Sequence, residues 1–245
     1  MREWLAHVMA KKPKLPPYPQ RSGADATYTA QMMAIKAFPG GGLVAEFLAS
    51  IIGRPVERRR VAWFETAADI INELQNRGAI DIQQLSDDEA FATVMIATTM
   101  SALKTHQEEK REALKNCLMN AACGIEPDDS VRQIFIELVD RYTPVHLALL
   151  KLFAEPRLYS AVAAHFTNVG TGSLLFMIGR AFPELQPQEA LVRLVYSDLI
   201  SSGLLPQVDI GINMSASGCL GKRTTPLGDR FVKFVLTPPL PSSED

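Results

Sequence analysis

The chain has 245 residues, 47% of them apolar and 21% charged. That balance supplies a core and excludes a wholly disordered polymer. The formal net charge of −2 excludes a global electrostatic pull toward nucleic acid.

Residues 1–23 form a basic arm in which Pro13, Pro16, Pro17 and Pro19 favour extended backbone. The charge is front-loaded: residues 1–60 hold ten Lys or Arg against four acids, +6 there and −8 over the rest. Such a front end pairs with the chain's own acidic helices or touches an anionic surface. A helical bundle is expected over 24–142. Residues 24–38 suit a helix, and Pro39-Gly40-Gly41-Gly42 breaks it. A short apolar helix over 43–52 is expected to stop at Gly53 and Pro55. Residues 57–77 then read as a longer helix with Val61, Phe64, Ala68, Ile71 and Leu74 on one face and Gly78 as its left-handed end.

Ser86-Asp87-Asp88-Glu89 fits a capping box, and the following helix carries Phe91, Val94, Met95, Thr98 and Ala102. Thr105-His106-Gln107-Glu108 repeats the pattern before Leu114, Cys117, Leu118, Ala121 and Ala122, with Gly124 as terminator. Pro127-Asp128-Asp129 opens a fourth helix anchored by Val131, Ile134, Phe135, Leu138, Val139 and Tyr142. One-sided stripes of this kind bury against one another as a bundle.

Residues 143–236 read differently. Thr143-Pro144 caps a helix through His146, Leu149, Leu150 and Phe153. Residues 157–172 are expected to contain loop, and 174–182 a short helix ended by Pro183. Pro187 opens another with Leu191, Leu194, Val195 and Leu199 on one face, ended by Gly203. Two short runs, 204–212 and 219–224, are expected to pair as a β-hairpin across a polar loop. Thr225-Pro226-Leu227-Gly228 caps a last helix through Phe231, Phe234 and Val235. The tail, 237–245, is rich in Pro and Ser and is expected to fray. The predicted fold class is therefore mostly α: an N-terminal helical bundle followed by a winged-helix-like α+β domain.

The run Leu191-Val-Arg-Leu-Val-Tyr-Ser-Asp-Leu-Ile-Ser-Ser-Gly-Leu-Leu, a hairpin, and Thr225-Pro-Leu-Gly-Asp-Arg-Phe-Val-Lys-Phe-Val resemble the end of bacterial winged-helix domains. Over its whole length the chain resembles uncharacterised bacterial helical proteins. The carrying segments are Phe38-Pro-Gly-Gly-Gly-Leu, Arg58-Arg-Arg, Thr105-His-Gln-Glu-Glu-Lys-Arg-Glu-Ala-Leu-Lys-Asn and Leu138-Val-Asp-Arg-Tyr-Thr-Pro-Val-His-Leu. In helical layout and its Gly-rich opening it is more distantly similar to the Abi-alpha family, whose name refers to abortive infection. That resemblance implies a bacterial protein with a role in phage defence and carries over no functional residue.

Reactive motifs are sparse. Gly40-Gly41-Gly42 lacks the preceding strand and the Gly-Lys-Ser/Thr of a phosphate loop, so it reads as a hinge. Cys117 and Cys123 lie six apart, about 120° away from each other on a helix, and do not share an ion. With Cys219 they make an odd set of three, which is no disulfide framework. Gly170-Thr171-Gly172-Ser173 lacks a nucleophile elbow. The Asp87-Asp88-Glu89 and Asp128-Asp129 carboxylates suit helix N-termini. No catalytic residue, metal site or cofactor is expected.

Three functions compete. The preferred one is a non-enzymatic interaction or regulatory protein, with protein as its partner, and it predicts an exposed apolar groove. A DNA-binding winged-helix regulator needs a positive face from Arg193, Lys222 and Arg223, although residues 143–236 hold eight bases against six acids. A membrane-acting effector would use residues 37–60, whose apolar run is flanked by Arg54, Arg58, Arg59 and Arg60. No stretch reaches the about 20 apolar residues that span a bilayer. Residues 1–10 lack the core of a secretory signal. The cytoplasm is the expected address.

Overall fold

A computed structural model describes residues 41–238 other than Glu126, and only the backbone of residues 41–52 and Arg54. The arm 1–23, the helix expected over 24–38, the Pro39-Gly40 part of the break and the tail from 239 lie outside the described residues. What is described is mostly helical. By Cα packing the chain divides at Pro55/Val56 into two units. Of the first, residues 41–55 are described, and they are the opening turns of a helix. The rest of this section concerns the second.

The first helix, α1, runs Gly41–Asn76 without interruption. This corrects two expected helices and the stop between them. An interior proline removes one backbone hydrogen bond and crowds the carbonyl four residues back, yet Pro55 does not end the helix here. The buried face of α1 is also rotated by one residue from the expected stripe: Trp63, Ala67, Ile70 and Leu74 are buried, while Val61 is 49% exposed. Trp63 decides this. It has the largest side chain to bury, and its indole N–H donates to the Thr99 hydroxyl at 2.9 Å.

Helices α2 (Ile82–Ser86), α3 (Glu89–Lys104), α4 (Glu108–Ala122) and α5 (Asp129–Arg141) follow. Asp88, rather than Ser86, caps α3, its carboxylate accepting the Ala90 and Phe91 N–H groups at 2.8 and 3.1 Å. Asp128 caps α5 as expected. Gly78, Gly124 and Gly203 take φ of +68°, +65° and +74°, each just past a helix, where only glycine is unstrained. Helix α4 is central. Ten of its residues are buried, among them Lys110, Asn116 and Asn120.

Across the 142/143 boundary the chain enters α6 (Pro144–Ala154) and stays in the same core cluster. Where loop was expected over 157–172, a 3-10 turn (Pro156–Leu158) and α7 (Ser160–Asn168) form. Helices α8 (Leu174–Ala181) and α9 (Glu189–Ser201) follow. The expected hairpin is corrected. Residues 204–212 contain no strand, and Met214–Ser215 (β2) pairs antiparallel with Thr171–Gly172 (β1) instead. The local chemistry explains the change. Pro206 interrupts the first run. The Ser215 hydroxyl accepts the Gly218 N–H at 3.1 Å and winds Ala216–Cys219 into the short helix α10.

The loop's backbone groups find helix ends rather than a partner strand. Leu175 N–H donates to the Ile210 carbonyl at 2.9 Å, and Thr225 N–H to that of Leu204 at 3.0 Å. The Thr225–Gly228 turn forms as expected and starts α11 (Pro226–Phe231), with the Thr225 hydroxyl accepting the Gly228 N–H. A Cβ at Gly228 would lie 2.2 Å from the Leu204 carbonyl oxygen, so only glycine fits there. A five-residue π-turn, Val232–Leu236, then lays Phe234 and Val235 into the core beside α4.

Candidate docking groove

Helices α3 and α5 run side by side in the same direction. Ala90 and Asp129, near their starts, line one groove, and Lys104 at the end of α3 reaches Asp140 near the end of α5 at 2.8 Å. The groove between them holds about 410 Å³. Its floor is Val94, Ala97 and Ile136, and Thr93, Ile96 and Gln133 rise at its sides. Ile96 is 66% exposed, and Met100 and Ile134 on the same two helices are also exposed. One exposed aliphatic residue is ordinary; Ile96 in the groove wall, with Met100 one turn beyond it on α3 and an apolar floor beside it, makes a patch.

The groove is acidic at one end. The starts of α3 and α5 bring Asp88, Glu89, Asp128 and Asp129 to one end. Two guanidiniums offset part of that charge, Arg132 with Asp129 at 3.0 Å and Arg230 with Asp128 at 3.2 Å. The Val131 N–H that it caps, followed by the Arg230 hydrogen bond, holds the Asp128 carboxyl below the usual carboxylate range. At the other end Lys104 is paired with Asp140, and Arg141 donates to the Ser202 hydroxyl at 2.8 Å.

The residues singled out from sequence lie elsewhere. Arg193 pairs with Glu189 one turn earlier at 2.7 Å, and Lys222 with Asp229 at 2.7 Å. Arg223 is half-buried and donates to the Gly218 carbonyl at 2.7 Å. Arg59 donates to the Leu103 carbonyl at 3.1 Å and Arg60 to Glu57 at 2.7 Å. Arg58 is exposed, and the Arg54 side chain lies outside the described residues. Most of these cations therefore serve neighbours within the chain. Sequence reasoning missed Thr93, Ile96 and Gln133. The available signal was Ile96, an isoleucine off the apolar stripe of its helix.

A buried polar knot ties the α5–α6 corner to α9. His146 stacks on Tyr142 with ring centroids 4.6 Å apart. Its Nδ1 accepts the Thr143 N–H at 3.2 Å and lies 2.9 Å from the Thr143 hydroxyl, while Nε2 is 3.3 Å from Asp198. Because the backbone N–H can only donate, Nδ1 is the bare nitrogen and Nε2 carries the proton toward Asp198. Burial holds the imidazole below its ordinary range, against the pull of Asp198. Lys110, its amine lowered by burial, donates to the Asp140 carbonyl at 2.7 Å.

The order Thr143, His146, Asp198 copies a nucleophile–base–acid relay. Its members nevertheless cap α6 and bridge it to α9, and none lines the groove. Burial pushes the Cys117, Cys123 and Cys219 thiols up, away from the reactive thiolate. Among the described residues no three His, Cys, Asp or Glu side chains gather as a metal site, and no helix is long and apolar enough to cross a membrane.

Comparison with protein-family models, with curated proteins and with solved structures returns no match.

Proposed function

We propose that this chain is a non-enzymatic interaction protein that receives an amphipathic helix of a partner protein in the α3–α5 groove. The observation that carries the reading is Ile96, with Met100 one turn beyond it on α3, in solvent beside an apolar floor between two parallel helices. Helix-in-groove recognition uses such a floor for anchors spaced three and four residues apart. Asp88 and Glu89, which meet no cation among the described residues, set the direction of the occupant: its basic end lies over them, which gives orientation and on-rate more than affinity.

No observation favours the DNA-binding alternative. A positive face needs Arg193, Lys222 and Arg223 turned outward together, and each is engaged with a neighbour in its own chain. We read residues 143–236 as winged-helix-like in helix order, with the wing reduced to the two-residue ladder of β1 and β2. The role in phage defence implied by the Abi-alpha resemblance belongs to the same proposal. Plaque counts on cells with and without the gene test it.

A photo-crosslinking amino acid placed at Thr93, at Gln133 and, as a control, at Glu189 tests the groove. The expected adducts form from Thr93 and Gln133, map to a partner segment with apolar residues at helical spacing, and disappear with Ile96→Glu. Adducts from Glu189 alone, or none from the groove, overturn the reading.

A further inference from the structure

We propose a second and separate binding site, the groove between α7 and α8, for a small ligand in which a flat ring carries an oxyanion. This groove holds about 620 Å³ and is lined by Ala161, Ala164, His165, Asn168, Phe176 and Arg180, among others. Ligand clefts run from about 300 to about 1,000 Å³. No carboxylate lines it, although the chain as a whole has a net charge of −2. The charge in the groove is Arg180.

Phe176 carries the argument for a ring. Its neighbours on α8, Leu174, Met177 and Ile178, are buried, but Phe176 is 43% exposed. It is held in place all the same. The His165 ring lies 4.8 Å from it, tilted by 45°, and the Arg180 guanidinium sits 5.8 Å from its centroid. An aromatic face fixed and left in water offers stacking area at little further entropic cost.

Arg180 carries the argument for an oxyanion. Arg60, Arg77, Arg111, Arg132, Arg193 and Arg230 each meet a carboxylate, and Arg59, Arg141 and Arg223 each donate to a carbonyl or hydroxyl oxygen. Arg180 instead donates one Nη2 N–H to His165 Nδ1 at 3.1 Å, and among the described residues no carboxylate pairs with it. A neutral acceptor orients the guanidinium without cancelling its charge, so the remaining N–H groups stay set for a carboxylate or phosphate.

Because Nδ1 accepts, the imidazole proton is on Nε2, a second donor in the same groove. Asn168 donates its amide to the Ala164 carbonyl at 3.3 Å, which leaves its oxygen to accept from the edge of a ring. A bare anion gains little from one solvated cation. A nucleic-acid strand needs a row of cations along its backbone. Ring and anion together use all of what is here.

A nucleoside monophosphate and an aromatic acid share this chemistry, and titration of the full chain by NMR or calorimetry separates them. The probes are adenosine monophosphate and salicylate, with adenosine and inorganic phosphate as half-ligands. At least one full probe is expected to bind with a Kd of about 1 mM or tighter, and its halves about tenfold more weakly. Arg180→Met weakens the full probe by about tenfold and Phe176→Leu by about threefold. Both side chains are exposed, so circular dichroism of both variants is expected to match the parent.

Binding of adenosine monophosphate alone identifies the nucleotide source, and binding of salicylate alone the aryl acid. Binding of both shows that the site reads only the shared chemistry. The proposal is overturned if neither binds by about 10 mM, if phosphate alone matches the nucleotide, or if Arg180→Met leaves the affinity unchanged. None of these outcomes bears on the α3–α5 groove.

Discussion

The core around α4 and α5 is finished in opposite ways at two places. On one side the chain's own C-terminal segment closes the core: Phe231, Phe234 and Val235 are fully buried there. That segment is an irregular π-turn whose carbonyls need donors, and α4 supplies them. Asn120 donates to the carbonyls of Phe234 at 2.9 Å and Thr237 at 2.8 Å, and lies 3.3 Å from that of Lys233; Asn116 donates to that of Val235 at 3.1 Å. On the other side α3 leaves Ile96 in water at the edge of a groove that nothing in the described chain fills. Buried polar groups are therefore spent where an irregular segment must be sealed, and apolar groups are left uncovered where a further helix fits. The first arrangement makes stability and the second makes a surface.

The comparison breaks most readily at Phe231. Its ring stands edge-on to Phe135 with centroids 5.1 Å apart and lies near Tyr142. Phe231→Ala is expected to cost about 3–5 kcal/mol in urea unfolding. A cost below about 1 kcal/mol would mean that the seam is not closed. Asn120→Ala comes next, at about 1–3 kcal/mol, because buried carbonyls lose their donor while little apolar contact is lost. Asn120→Leu separates the two terms: added volume does not restore the stability if the hydrogen bonds are what matter.

This division was half legible in the sequence. Caps and terminators with a local mechanism could be read directly: Asp128 at the start of α5, Thr143-Pro144, Thr225 with Gly228, and glycine at 78, 124 and 203. So could most of the stripes on α3, α4 and α6. At two places a local argument met a nonlocal contact, and the nonlocal one won. The α1 stripe drawn through Val61 and Phe64 lost to Trp63, whose partner Thr99 is 36 residues away. The hairpin lost to a pairing of residues 171–172 with 214–215, because a two-residue ladder has no periodicity to detect.

Asn116 and Asn120 lie outside the apolar stripe read for α4. Only the C-terminal segment packing on them makes them internal. The cations Arg193, Lys222 and Arg223 were visible as residues but not as ion pairs or half-buried donors. The groove was hidden because exposure is set by which helix lies beside which, and spacing along one helix does not record that.

His146 sharpens the comparison with a smaller effect. Burial, the largest influence, lowers its imidazole, aided by Arg141 and Lys110 and opposed by Asp198. The unfolded chain therefore takes up a proton first as pH falls. Stability is full above the ordinary imidazole range and declines as pH drops from there to the folded value. The difference in urea midpoint between about pH 7 and about pH 5 is expected to shrink in His146→Gln, which keeps an acceptor for Thr143 and a donor for Asp198 without titrating. An unchanged difference would show that His146 takes no part in it.

The smallest expected effect is the sharpest statement about the open side. Ile96→Ser and Ile134→Ser replace residues 66% and 49% exposed, so each is expected to move the unfolding free energy by no more than about 0.5 kcal/mol. Ile136, two positions from Ile134 on α5 and 3% exposed at the groove floor, is the internal control, and its replacement by serine costs severalfold more. If Ile96→Ser destabilises as much as Ile136→Ser, then Ile96 is covered in the intact chain and the groove is already filled. If it is silent in unfolding yet abolishes the crosslink from Thr93, apolar surface is being held out of the core for a partner, because no stability term remains to account for an isoleucine at that position.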